Sequence, residues 1–117
     1  MIIEHTVIGG DDSVYHDFSY TQSGMTLTVS AGSYYEGGKA SVTADAPTDI
    51  AFPVSTNDTQ YTVYLTTNGF YVTQWVLGSA FQQDIPNVVD RLAWLIIPAG
   101  TTTLDNINID VLKVVKE

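Results

Sequence analysis

Two short runs of strict alternation constrain this chain more than any other feature. They are Met25-Thr26-Leu27-Thr28-Val29-Ser30 and Tyr61-Thr62-Val63-Tyr64-Leu65-Thr66. A side-chain period of two puts neighbours on opposite faces, so each run reads as a strand with one buried and one wet face. In the second run Tyr61, Val63 and Leu65 take the core side. It leads into Thr67-Asn68-Gly69-Phe70, and Asn-Gly between two such runs predicts a hairpin. A type I′ turn needs positive φ at both central residues, which Asn and Gly tolerate. The returning strand spans Phe70 to Leu77.

Further strands are expected over Ile2–Ile8, Val14–Tyr20, Ile50–Ser55, Leu92–Ile97 and Ile107–Val115. Turn chemistry separates them: Gly9-Gly10-Asp11-Asp12, Ser23-Gly24, Gly37-Gly38, Ala46-Pro47-Thr48-Asp49 and Pro98-Ala99-Gly100. Glycine supplies positive φ at such places and proline a fixed φ. Thr, Val, Ile and Tyr abound while Lys, Glu and Gln are scarce, the inverse of a helical composition. One helical turn is expected at Pro86–Arg91, with Pro at a first helical position. The chain has 117 residues and no visible linker or repeat. It therefore predicts a single all-β domain over residues 1–117, an antiparallel β-sandwich of jelly-roll-like type.

Charge narrows the functional classes. Four Lys+Arg against 13 Asp+Glu give a formal charge of −9, which repels phosphate and argues against nucleic acid or an anionic membrane as partner. The absence of cysteine removes disulfides, thiolate catalysis and cysteine-ligated zinc. Met1-Ile2-Ile3-Glu4-His5 lacks the features of a secretory signal, and no apolar run approaches the ~20 residues that span a bilayer. The expectation is a soluble acidic domain made in a cytoplasm.

Catalytic constellations are thin. The two histidines each adjoin an acid, as Glu4-His5 and His16-Asp17, but strand neighbours point to opposite faces and form no local dyad. Both read as ordinary surface or interface residues. No activated nucleophile is visible, so no enzymatic activity is expected. The carboxylates sit singly in turns (Asp11, Asp12, Asp45, Asp49, Asp58, Asp84, Asp105), where Asx hydrogen bonds stabilise the chain locally. Gly9-Gly10-Asp11-Asp12-Ser13 and Asn57-Asp58-Thr59 are the loops that hard-cation chemistry would use, although neither has the spacing of a calcium loop. No cofactor or metal is expected. Asn106, Asn108 and Asp110 alternate with Ile107, Ile109 and Val111 and read as the polar face of a strand.

The aromatic residues Tyr34, Tyr35, Tyr64, Tyr71 and Trp75 are the remaining candidates. Tyr71 and Trp75 share one face of their strand, opposite Phe70, Val72 and Val76, so one set faces solvent or a partner. Three readings stay open: a protein interface, a second buried face, and a platform for stacking sugars.

Two stretches carry a resemblance. One is Leu27-Thr28-Val29-Ser30-Ala31-Gly32-Ser33 with the Gly37-Gly38 turn. The other is Leu92-Ala93-Trp94-Leu95-Ile96-Ile97-Pro98-Ala99-Gly100-Thr101-Thr102-Thr103-Leu104, running into Ile107-Asn108-Ile109-Asp110. Together they are similar to small β modules of bacteriophage virion structural proteins, in tail fibres and baseplates, and fit equally a capsid decoration or short head fibre. The resemblance runs from Leu27 onward. It implies a non-enzymatic virion component that self-associates, with a trimer favoured by analogy, and docks on other virion structural proteins. The alternative it leaves is a receptor-binding module for a host glycan.

Overall fold

The computed structural model describes residues 1–8, 14–80, 85 and 87–115. Among them there are strands, turns and loops but no helix. The strands are β1 (Ile2–Ile8), β2 (Tyr15–His16), β3 (Tyr20–Ser23), β4 (Thr26–Val29), β5 (Gly32–Glu36), β6 (Lys39–Ala44), β7 (Thr48–Ala51), β8 (Thr59–Thr66), β9 (Gly69–Val76), β10 (Val88–Ile97) and β11 (Ile109–Val115). A five-stranded sheet, ordered β1-β11-β10-β8-β9, faces two three-stranded sheets, β2-β5-β6 and β3-β4-β7. Pairing is antiparallel apart from β1 with β11, which run parallel from Ile2↔Ile109 to Ile8↔Val115. The fold is an all-β sandwich.

Alternation places the core where the sequence puts it. Tyr61, Val63, Ala93, Leu95, Ile97, Ile109 and Val111 project from the large sheet onto Leu27 and Phe52. A second cluster, Phe18, Val29, Tyr34, Leu65 and Leu92, closes the other end. Burial of this apolar area supplies the main drive to fold. Leu104 joins the first cluster from outside any strand and is fully buried. Its N–H donates to the Gly24 carbonyl at 2.8 Å, and its own carbonyl accepts from Gln22 Nε2 at 3.3 Å.

Several expected elements differ. The strand expected over Val14–Tyr20 is divided, because the chain changes sheets at Asp17–Ser19. There the Asp17 carboxylate accepts from Ser33 N–H at 2.6 Å, and the Ser30 hydroxyl accepts from Ser19 N–H at 2.8 Å. Side chains take ladder positions, so β2 pairs with β5 and β3 with β4. The strand expected at Ile50–Ser55 lies earlier, at Thr48–Ala51, and ends before Pro53, which has no N–H for a ladder. β5 and β6 were legible only through their turn. Glu36 pairs with Lys39 around a two-residue loop, with φ of 58° at Gly37 and 80° at Gly38.

The paired positive φ of a type I′ turn thus falls at Gly37-Gly38 and not at Asn68-Gly69. The β8–β9 hairpin is present, but its loop is Thr67-Asn68, since Thr66 pairs with Gly69. Only Gly69 there has positive φ, at 113°. The Thr66 hydroxyl sets this turn, accepting from Asn68 N–H and donating to the Gly69 carbonyl. The helical turn expected at Pro86–Arg91 gives way to strand from Val88, preceded by Asn87 at φ 59°; Pro86 lies outside the described residues. β11 begins at Ile109, so Asn106 and Asn108 belong to the loop before it and not to a strand face.

Candidate functional site

The outer face of the five-stranded sheet carries the side chains that the core does not use. On β8 and β9 cross-strand register aligns Gln60 with Trp75, Thr62 with Thr73 and Tyr64 with Tyr71. On β10, Trp94 lies beside Thr62 and Ile96 beside Gln60, and Asp110 of β11 flanks Trp94 on the other side.

A β-bulge completes this face. Arg91 pairs with Tyr64 but Ala93 pairs with Val63, so β10 holds an extra residue at Leu92. Leu92 and Ala93 are consecutive, yet both are fully buried. In a regular strand, residues three apart point to opposite faces; the bulge puts Arg91 and Trp94 on the same one. The Arg91 guanidinium lies 4.0 Å from the centroid of the Trp94 ring, within cation–π range. His5 of β1 stacks on the same indole at 5.5 Å, and its Nε2 lies 2.8 Å from the Asp110 carboxylate.

Two adjoining hollows result, with Gln60 common to both. The larger, of about 360 Å³, is bounded by Trp94, Ile96, Pro98 and the polar side chains of Asn106, Asn108 and Asp110. The smaller, of about 240 Å³, is bounded by Thr62, Tyr64, Thr73, Trp75 and Arg91. Their polar lining is amide, hydroxyl, carboxylate and guanidinium, and their apolar walls are indole, phenol and, in the larger, the aliphatic Leu95, Ile96, Ile107 and Pro98. Such a surface can hydrogen-bond a ligand in several directions while stacking on its flat side.

The aromatic candidates separate. Tyr64 and Trp75 line the smaller hollow, and the Trp75 indole N–H donates to the Ser79 carbonyl at 3.0 Å. Tyr71 is 42% exposed at the edge strand β9. Tyr35 is half-buried and stacks on Tyr15 with ring centroids 4.5 Å apart. Tyr34, a candidate for an interface or a sugar platform, is instead a core residue: only 3% of it is exposed. Its hydroxyl donates to the Asp90 carboxylate at 3.0 Å, and burial, reinforced by Asp90, holds the phenol well above its ordinary pKa.

The histidines separate too. His5 is exposed in the outer face, paired with an acid distant in sequence rather than with Glu4. His16 is buried, contrary to the surface position expected, between Phe18 and Tyr34. Neither of its ring nitrogens has a hydrogen-bond partner. Burial lowers its pKa; Asp90, Asp17 and the nearby Leu112 backbone pull weakly the other way.

Among the described residues no three His, Asp or Glu side chains converge as metal ligands. In the Asn57-Asp58-Thr59 loop, the Asp58 carboxylate instead accepts from Ala99 N–H at 2.8 Å, fastening the loop to the Pro98–Gly100 turn. The Gly9–Ser13 loop lies outside the described residues.

Trp94, Arg91 and Gln60 were not singled out by sequence reasoning. Leu92–Ile97 is apolar throughout, so alternation has no phase there, and the bulge is invisible in composition. The available signal was the alternation of Asn106, Asn108 and Asp110 beside an apolar run that contains a tryptophan.

No protein-family model and no curated protein matches this chain. Among solved structures, it is similar to the crystal structure of the gene 22 product of the Bacillus subtilis SPP1 phage. The TM-score is 0.68 over 99% of this chain and 91% of that one, at 16% sequence identity. The likeness is one of fold.

Proposed function

We propose that this chain is a non-enzymatic bacteriophage virion component, a β-sandwich module that self-associates and docks on neighbouring virion proteins. The observation that carries the reading is the fold shared, over nearly the whole length of both chains, with a phage gene product. The pattern running from Leu27 to Asp110 points the same way.

Surface physics supports attachment over catalysis. β1 and β9 are the outer strands of the large sheet, and unpaired strand edges favour association unless they are covered. Val7 and Ile8 at the end of β1, and Tyr71 on β9, are exposed. Only 15% of residues are charged, against about 25% in an average soluble domain. With −9 per copy, contacts between copies are expected to be apolar and hydrogen-bonded, with carboxylates at the rim. A closed ring would cover the edges, and a trimer is the favoured form by analogy with phage fibres and decorations. Against catalysis, His16 is enclosed and His5 is engaged with Asp110 and Trp94.

Gradient-purified particles of the encoding phage, analysed by mass spectrometry and labelled with antibody for electron microscopy, test this reading. The chain is expected in stoichiometric amount at one defined location, which decides between a tail or baseplate appendage and a capsid decoration. Its absence from particles would remove the reading.

A further inference from the structure

The larger hollow is concave and two-sided in character, with Gln60, Asn106, Asn108 and Asp110 set among Trp94 and aliphatic residues. Asn106 and Asn108 are exposed on the loop before β11, and Asp110 and Gln60 project from strands on either side of Trp94. A sheet face made for a flat protein contact would carry an apolar centre depleted of charge. Here three neutral amides and one carboxylate share the hollow with an indole and the aliphatic Leu95, Ile96, Ile107 and Pro98.

That set matches the two-sided chemistry of a sugar ring. Adjacent hydroxyls both donate and accept, so a carboxylate and carboxamides can each engage them in pairs. The C–H face of a pyranose is apolar and packs on an indole as another apolar plane would. The Asp110 charge and the overall −9 disfavour anionic ligands, and a hollow of about 360 Å³ is within the usual size of small-molecule sites, about 300–1,000 Å³.

We propose that Trp94, Gln60, Asn106, Asn108 and Asp110 form a binding site for a neutral saccharide, continued by a second subsite at Trp75, Tyr64 and Arg91. Gln60 stands at the junction, and the Arg91 guanidinium, held on the Trp94 ring, offers donors toward the second subsite. The site is independent of the virion reading: particle incorporation tests one, and saccharide binding by the isolated protein tests the other.

The chain has two tryptophans, so a proton–nitrogen correlation spectrum holds two indole N–H peaks, assigned with Trp94→Phe. Titration uses the methyl glycosides of glucose, galactose, rhamnose and N-acetylglucosamine, with the corresponding disaccharides. At least one is expected to move the Trp94 peak saturably, with half-saturation below about 10 mM. Asn108→Ala and Asp110→Asn lie outside the core and should each weaken that response roughly tenfold, about 1.4 kcal/mol, with the rest of the spectrum intact. No saturable shift with any of these probes would overturn the proposal. So would binding that both variants leave unchanged. A Trp94→Ala variant that alters oligomeric state, in a protein whose spectrum no saccharide moves, would mark the face as a protein interface and likewise overturn it.

Discussion

His16 is the residue whose environment most clearly affects behaviour in solution. Its imidazole is packed against Phe18 and Tyr34 with both nitrogens unpartnered, and burial lowers its pKa from the ordinary value of 6.5. As pH falls below about 6.5, the unfolded chain takes up a proton here that the folded chain resists. Stability is therefore fully present above that value and declines as pH drops toward the depressed folded pKa. Urea midpoints between neutral and mildly acidic buffers should show this decline, and His16→Phe should flatten the part that begins near 6.5. Equal pH dependence in the variant would assign the effect to carboxylates. At Gly69 the constraint is backbone: φ is 113°, although a Cβ there would meet nothing within 4 Å. Gly69→Val should then cost about 1–3 kcal/mol from strain alone, seen as a lower urea midpoint with an unchanged slope. A neutral result would mean that the turn relaxes to another geometry.

At the scale of elements, the loop between β10 and β11 works as a plug. Leu104 is fully buried in the first core cluster, and its backbone ties the loop to the β3–β4 turn through Gly24 and Gln22. The same loop holds the start of β1, where the Met1 nitrogen donates to the Ile107 carbonyl at 2.6 Å. Leu104→Ala should cost about 2–5 kcal/mol, the range for a leucine removed from a closed core. Because the loop also carries Asn106 and Asn108, this variant should speed amide exchange around residues 104–109 beyond what a comparable cavity at Leu95 produces. If the two variants exchange alike, the plug has no local role. Strand existence was readable where apolar and polar residues alternate, as in β4 and β8. It was not readable in β5 and β6, whose residues 32–36 and 39–44 contain little beyond Tyr34, Tyr35 and Val42 to mark a buried face.

For the whole molecule, the question is what covers the strand edges. β1 and β9 bound the five-stranded sheet, with exposed Val7 and Ile8 at one end. Light scattering at micromolar concentration is expected to give a closed oligomer, a trimer on the favoured reading, and Ile8→Lys should weaken it if the β1 edge is the contact. High salt should strengthen association, because it screens repulsion between copies of charge −9. A strict monomer at every salt concentration, with no uptake onto particles, would leave self-association unsupported.

The sequence by itself determined that the chain is β and which residues of β4 and β8 turn inward, because a period of two is a local property of the backbone and needs no partner to be read. In β9 the sequence paired the faces but left the choice between them to the packing of Phe70 and Val72 on the core. It also determined where the chain reverses at Gly37-Gly38 and near Gly69, since positive φ is excluded for most other residues by their own Cβ. Only the tertiary structure decided the parallel pairing of β1 with β11, residues more than a hundred positions apart, and the enclosure of His16 and Tyr34. It alone decided the outer face as well. Arg91 meets Trp94 because a bulge at Leu92 shifts register against β8, and a bulge is set by the fit between two strands, which neither strand's sequence contains.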